Sequence, residues 1–356
     1  MFKCQRANDE QMPTVGIVLP FYNYAGSKVL VSNLVGCLRG LAATRNIVRD
    51  LDLRIVVSEV VLSRSASVAS VIGALWPSDV VRIITTESPT IAFHNHTAVN
   101  IGFQSLEAPS GPHSGPHSGH LGPRDPIVFC DADIVFQNPL WPRALVDRVQ
   151  SGIDILQPFG TCHDLNSSRL PVKTRQSFTS YFAERPQERP TEFFHQMSAF
   201  HTGYVWAFSV EYLRRSGGLF NRAFNGAGDT TLMMACLRVR LSDLGPTHER
   251  YKQLKYLLPD IDEYGASSGL PPVGESQRWA PRVGHMDGVI QHLAHGSTKN
   301  RQYAKRHMEN QKHGQTLDAF LLPCTDRARP VAFVTPELHN ARLFKYFQDR
   351  RDDDVD

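Results

Sequence analysis

The chain predicts an α/β domain with a mostly parallel central sheet flanked by helices. Three observations carry this. Short, nearly continuous apolar runs recur through the first half, at residues 15–19, 54–62, 80–84 and 127–130. Stripes of apolar residues at helical spacing lie between them. The last of these runs also ends abruptly in acidic residues, as VFCDADIVF at 128–136. Strands buried on both faces read as unbroken apolar runs, and parallel neighbours need a crossover that is usually a helix. Ligands of such sheets bind beyond the carboxyl ends of the strands.

Each element follows in order. Residues 15–19 (VGIVL) are the first strand, which stops at Pro20 before the aromatic, polar loop FYNYAGS. Leu30, Leu34, Leu38 and Leu41 then recur at helical spacing. Residues 54–62 and 80–84 are further buried strands, and Val99, Phe103 and Leu106 mark a helical stripe within 91–106. The strand at 127–130 leads into a helix at 141–150 and a strand at 153–159. Polar, Arg- and Pro-containing sequence at 162–191 reads as loop with some helix. A strand at 205–210 precedes a short helix at 211–216 that Gly217 and Gly218 terminate. Asp229 stands before a helix at 230–241 as its candidate cap. Residues 247–284 show no clear period, 288–295 are strand-like, and 299–312 read as a basic helix.

No clean linker divides the chain, so one domain over 14–320 is expected, between a flexible N-terminus (1–13) and a C-terminal extension with an acidic tail (321–356). Within it, residues 108–124 (APSGPHSGPHSGHLGPR) are a low-complexity insertion that cannot build a core. Its His113, His117 and His120 read as solvated side chains before metal ligands.

Composition narrows the function. The formal charge of +3 and the lack of a long basic run argue against nucleic acid. Six scattered cysteines without a C-x-x-C pair suit free thiols in a reducing compartment. The start, MFKCQRANDEQMPT, lacks the apolar core of a signal peptide, and no apolar run is long enough to span a bilayer. A soluble, cytoplasmic protein is expected.

Three constellations carry chemistry. Asp131 and Asp133 end a buried strand, where i and i+2 side chains emerge on one side. Two like charges there call for a cation, and a divalent one carrying a phosphate-bearing substrate is the natural candidate. His292 and His295, three apart, can reach one such ion. Lys299, Arg301 and their basic neighbours Lys305 and Arg306 follow at a helix start, where a diphosphate could be neutralised. The third constellation is GGLFNRAFNGAGD, ending in Gly228 and Asp229. Its glycines let backbone approach a ligand, and Asp229 is either a helix cap or a general base for an acceptor hydroxyl. Tyr204 and Trp206, just upstream, offer flat faces for a sugar ring or belong to the core.

Together these motifs resemble the GT-A class of glycosyltransferases. Asp131-Ala132-Asp133 matches its D-x-D motif, and LPFYN at 19–23 is similar to its first strand and loop. The glycine block ending at Asp229 resembles the segment that carries the base of inverting members. His292 and His295 sit where β-1,4-galactosyltransferases carry M-x-x-H. DADI, QPF, GYVW, GAGD and HLAHG also resemble, in order, an uncharacterised bacterial and viral group. Ala227 and Ala294 depart from that group's Gly and Trp, and no second acid follows Asp229.

The resemblance spans roughly residues 14–320. It implies a GT-A fold and transfer of a sugar from a nucleoside-diphosphate donor, UDP- or GDP-type, to a hydroxyl of a carbohydrate or glycoconjugate acceptor. Mn²⁺ or Mg²⁺ would be held by Asp133, His295 and His292, with Asp131 reaching the ribose or a metal-bound water. Asp229 would be the base of an inverting reaction. Tyr22, Asn23 and Glu59 are candidates for the nucleoside, Lys299 and Arg301 for the diphosphate, and Tyr204, Trp206 and Gly228 for the acceptor. A metal-dependent phosphoesterase and a non-catalytic carbohydrate-binding protein are the alternatives.

Overall fold

The apolar runs become strands because their side chains alternate into two cores, one on each face of a sheet. The structure is a computed structural model, and it describes residues 12–63, 66–108, 120–267, 280–302, 307 and 316–354. The first half alternates β1 (Thr14–Phe21), α1 (Lys28–Ile47), β2 (Asp52–Val61), α2 (Ala69–Leu75), β3 (Val81–Glu87), α3 (Asn95–Glu107) and β4 (Pro126–Cys130). Then come β5 (Ile134–Phe136), α4 (Trp141–Gln150), β6 (Ile155–Leu156), β7 (Thr161–Leu165), β8 (Pro171–Ser177), α5 (Phe178–Ala183) and β9 (Phe200–His201). The remainder holds β10 (Val205–Ser209), α6 (Val210–Ser216), α7 (Gly228–Leu237), α8 (Glu249–Leu254), α9 (Asp260–Ser267), β11 (Val289–His292) and α10 (Pro336–Asp349).

The main sheet runs β3-β2-β1-β4-β10-β6. β3, β2, β1 and β4 are parallel to one another, and β10 lies antiparallel between β4 and β6. Period-2 alternation sends Ile17, Leu19, Ile55 and Val57 into one core with Leu34, Leu38 and Leu145 of α1 and α4. It sends Val18, Val56, Ile127 and Phe129 into the other, with Val99 and Phe103 of α3. Full burial of each such side chain contributes about 1.5–3 kcal/mol. Gly102 lets α3 approach β1 closely, because a Cβ there would strike Val18.

Several elements differ from the sequence reading. Residues 161–177 form the antiparallel pair β7/β8 of a second sheet, ordered β5-β11-β7-β8-β9. Residues 171–174 of β8 are exposed in succession, so no apolar alternation marks them as a strand. The strand expected over 153–159 shrinks to β6. Helix α7 stops at Leu237, where Arg238 turns left-handed at φ 55°. Of the basic helix at 299–312, the structure shows a 3₁₀ turn over Thr298–Arg301, and 303–306 and 308–315 lie outside the described residues. So do 1–11 and 109–119, which hold most of the N-terminal segment and the GPHS repeat. The segment after 320 packs into the α3-side core through Leu321, Phe333, Leu343 and Phe347. Among the described residues, no helix is long and apolar enough to cross a membrane.

Candidate metal centre and its cavity

The two sheets meet where β4 ends. Asp131 donates its N–H to the Tyr204 carbonyl (2.9 Å) and accepts the Ile134 N–H (3.3 Å), so 131–133 is a turn into β5. The two carboxylates therefore owe their positions to this turn, and the strand alternation that the sequence suggested does not set them. β11 pairs with β5, His292 opposite Ile134. Leu293 N–H then donates to the Asp133 carbonyl (2.9 Å), which fixes the turn against the residues that follow β11.

This junction brings Asp133, His292 and His295 together, with one potential ligand atom from each lying within 4.8 Å of the others. Asp133 Oδ2 is 2.8 Å from His295 Nε2 and 3.5 Å from His292 Nε2. The two Nε2 atoms are themselves 3.3 Å apart. Asp133 Oδ1 is buried with no hydrogen-bond partner. Burying such an oxygen unsatisfied costs about 1–3 kcal/mol, more if charged. One carboxylate and two imidazole nitrogens are the donors a Mn²⁺-like ion takes, and a cation there would satisfy Oδ1. The residues present fit a divalent metal.

Carboxylates orient both imidazoles from behind. His292 Nδ1 is 3.0 Å from Asp164 Oδ1, and His295 Nδ1 is 3.4 Å from Asp352 Oδ1. A proton held on Nδ1 leaves the Nε2 lone pair facing the cluster, the arrangement of a metal-ligating histidine. Asp164 stands beside His292 because β7 and β11 pair in parallel at that position. Tyr204 Oη and Arg175 Nε also donate to Asp164. Tyr204 stacks on His201 (3.8 Å, 9°) and holds a left-handed φ of 79°, strained for a bulky residue.

The electrostatics of the metal-free cluster follow from burial and charge. Burial, then the carboxylates of Asp133 and Asp229, hold the Asp131 carboxyl well above its usual range. Burial would also raise Asp133, but the two imidazoles outweigh it and hold Asp133 well below. Burial alone would lower His292, yet Asp133 and Asp164 raise it to about 9. A raised histidine stabilises the fold fully below its unfolded value of 6.5 and loses that contribution as pH passes about 9. The metal-free protein should therefore lose melting temperature between pH 6.5 and about 9. His292→Gln should flatten that slope in EDTA, and an unchanged slope would mean that His292 does not set it.

Asp229 faces this cluster from the first turn of α7. Its Oδ2 lies where a Cβ on Gly203 would come within 2.8 Å, and Gly228 makes the same kind of room for the His96 ring. Ala227 occupies the cap position with a left-handed φ of 79°. Asp229 is thus inside the helix, not before it. A non-glycine residue at that φ carries strain on the order of 1 kcal/mol. Ala227→Gly should raise stability by up to about 1 kcal/mol, part of the gain being offset by glycine's unfolded-state entropy. Denaturant midpoints test this.

A cavity of about 930 Å³ opens over the junction. It gathers Tyr22, Asp131, Asp133, Tyr204, Gly228, Asp229, His292, His295 and Arg301 of the sequence candidates. Four others lie elsewhere. Glu59 is 1% exposed and accepts from Ser67 Oγ, Thr85 Oγ1 and the Val68 N–H, so it ties down the loop after β2 and not a nucleoside. Asn23 closes its own loop on Ser27 with two bonds of 2.8 Å. Trp206 is 1% exposed within the aromatic core, its indole N–H on the Thr202 carbonyl, so it offers no face to a sugar. Lys299 is exposed and lies off the cavity wall. In the other direction, Asp164, Arg175, His96, Arg250 and Asp352 were not singled out from the sequence. Asp164 lies in the CHDL segment that opens the polar stretch 162–191, where no local pattern marks it.

No protein-family model matches the sequence, and no curated protein matches it. Solved structures do. The catalytic domain of Drosophila beta1,4-galactosyltransferase 7, crystallised with xylobiose, is 10% identical at a TM-score of 0.40, covering 93% of this chain and 98% of that one. Glucosyl-3-phosphoglycerate synthase from Mycobacterium tuberculosis, in complex with Mn²⁺, UDP and glucosyl-3-phosphoglycerate, is 14% identical at 0.41, covering 87% and 83%. A mannosyltransferase from Pyrobaculum calidifontis, in complex with GDP-Man and Mn²⁺, is 14% identical at 0.36, covering 69% and 62%. Similarity at this level assigns no activity to the chain.

Proposed function

We propose that the chain is a metal-dependent, inverting glycosyltransferase of the GT-A type. It moves a sugar from a UDP- or GDP-type donor to a hydroxyl of a carbohydrate or glycoconjugate. The observation that supports this best is the pairing of two features in one cavity: the Asp133–His292–His295 cluster with its unsatisfied Oδ1, and Asp229 beside it.

Asp133, His292 and His295 would hold Mn²⁺ or Mg²⁺, which when bound stabilises the charge of a departing diphosphate. Asp164 and Asp352 keep the imidazoles oriented for that task. Asp131 lines the same cavity without joining the ligand cluster, in keeping with a role at the ribose or at water. Arg301 Nη2 lies 2.7 Å from His295 Nε2; it would release that nitrogen to the metal and add positive charge near the diphosphate. Tyr22 stacks on Tyr24 at 5.5 Å and leaves a wall of the cavity for a flat base. Asp229 would take the proton from the acceptor hydroxyl, while Tyr204 and Gly228 shape the acceptor side.

A thermal-shift panel of nucleotide sugars, with and without Mn²⁺, tests the reading, since a ligand of the native state raises apparent stability by mass action. A shift that needs both Mn²⁺ and one nucleotide sugar is the expected result. No shift with any of them would sink the proposal.

A further inference from the structure

One half-buried cation near this site makes no ion pair among the described residues. Arg250 lies in the first turn of α8, and its backbone N–H donates to His248 Nδ1 at 3.0 Å. With Nδ1 accepting, the proton of a neutral His248 ring sits on Nε2. That Nε2 is buried and has no hydrogen-bond partner. The ring packs against His195 at 4.5 Å and stands edge-on to Phe194.

The Arg250 side chain beside it is half-buried. Its guanidinium has five N–H donors to satisfy. The one bond it makes is from Nη2 to the Met197 thioether at 3.2 Å, a weak acceptor. Among the described residues, no carboxylate pairs with it. Neighbouring Glu249 is exposed and accepts from Gln253 Nε2 at 3.2 Å. The other arginines around the cavity are engaged: Arg175 with Asp164, Arg350 with Asp352, and Arg301 at His295. Lys173 is exposed on β8. Burial lowers the pKa of Arg250, and the nearby Glu249 carboxylate offsets this only in part.

Position says what could use these donors. Arg250 lines both the large cavity and a second one of about 520 Å³, which Phe194, His195 and His248 also line. Met197, His201, Thr202, Gly203 and Asp229 line the same large cavity as Arg250. That is where an acceptor hydroxyl must be presented if Asp229 is the base.

We propose that Arg250 and His248 form an oxyanion subsite, and that the acceptor carries a phosphate or carboxylate near the hydroxyl that receives the sugar. This rests on the transferase reading above. Fork-like guanidinium donors match either oxyanion. An anion there would give the Arg250 fork a stronger acceptor than the Met197 thioether and the His248 Nε2–H the acceptor that it lacks.

The test uses the full chain with inorganic phosphate and glucuronate as probes. Calorimetry in EDTA should show one of them binding, and binding should persist at saturating Mn²⁺ and UDP. Arg250→Gln should weaken it by about tenfold or more, with Mn²⁺–UDP affinity unchanged. Its melting temperature should hold or rise, because no ion pair is broken. His248→Asn keeps a capping acceptor and should weaken the anion several-fold, which guards against misfolding of the first variant. The tighter probe identifies the oxyanion. Binding of neither probe, equal binding by Arg250→Gln, or displacement by Mn²⁺–UDP overturns the subsite. Loss of Mn²⁺–UDP binding in the unmodified chain would instead count against the transferase reading, independently of the anion result.

Discussion

Asp133→Ala is expected to abolish metal-dependent nucleotide binding, by about 10²-fold or more, and to leave the chain folded. The carboxylate is the acidic member of the ligand cluster, and its Oδ1 is the buried oxygen without a partner. Removing it leaves two imidazoles to hold a divalent ion, and loss of even an outer-shell partner typically costs 10–100-fold in metal affinity. Folding should survive because the backbone holds the turn: Asp131 N–H on Tyr204 O and Leu293 N–H on Asp133 O remain in the variant. The variant also relieves Asp131 of a neighbouring negative charge. Calorimetry of UDP and GDP, with Mn²⁺ and with EDTA, measures the effect beside a thermal melt. Equal affinity in Mn²⁺ and in EDTA for the unmodified chain would falsify the metal bridge between protein and diphosphate.

How much of this site the sequence disclosed depends on how local each signal is. β1, β2 and β4 were legible because burial on both faces leaves an unbroken apolar run, and the acids at the end of β4 stood out against it. The histidines were visible as a pair, but only the register of β11 against β5 and β7 brings His292 to Asp133 and Asp164. Asp164 was hidden because its hairpin partner β8 is exposed and polar, without alternation. The last residues, RDDDVD, read as an acidic tail. In the fold Asp352 is buried against His295 and Arg350, and Asp353 accepts from Ser27 Oγ and the Val29 N–H at the start of α1. Those contacts join opposite ends of the chain, and no local pattern encodes them. Glu59 failed for another reason. It lies within β2, and the direction of its side chain, toward Ser67 and Val68, is decided by the loop that follows.

Asp229→Asn is expected to leave Mn²⁺ and nucleotide affinity intact and to lower sugar transfer by about 10²-fold or more. Asparagine keeps the size of the side chain, so the space that Gly203 leaves for it stays filled. It cannot take a proton from a hydroxyl. Sequence alone left Asp229 as cap or base, and the fold makes the cap reading weaker, since Ala227 stands at the cap position. Neighbouring charge also matters. Asp229 and Asp133 both act on Asp131, so three carboxylates share one cavity wall, which a bound cation would relieve. Single-turnover transfer, measured with nucleotide binding on the same sample, separates the chemical step from donor affinity. NMR of the product's anomeric linkage adds a check, because a base on the acceptor side implies inversion. An active asparagine variant, or retention at the anomeric carbon, would return Asp229 to a purely structural part in the first turn of α7.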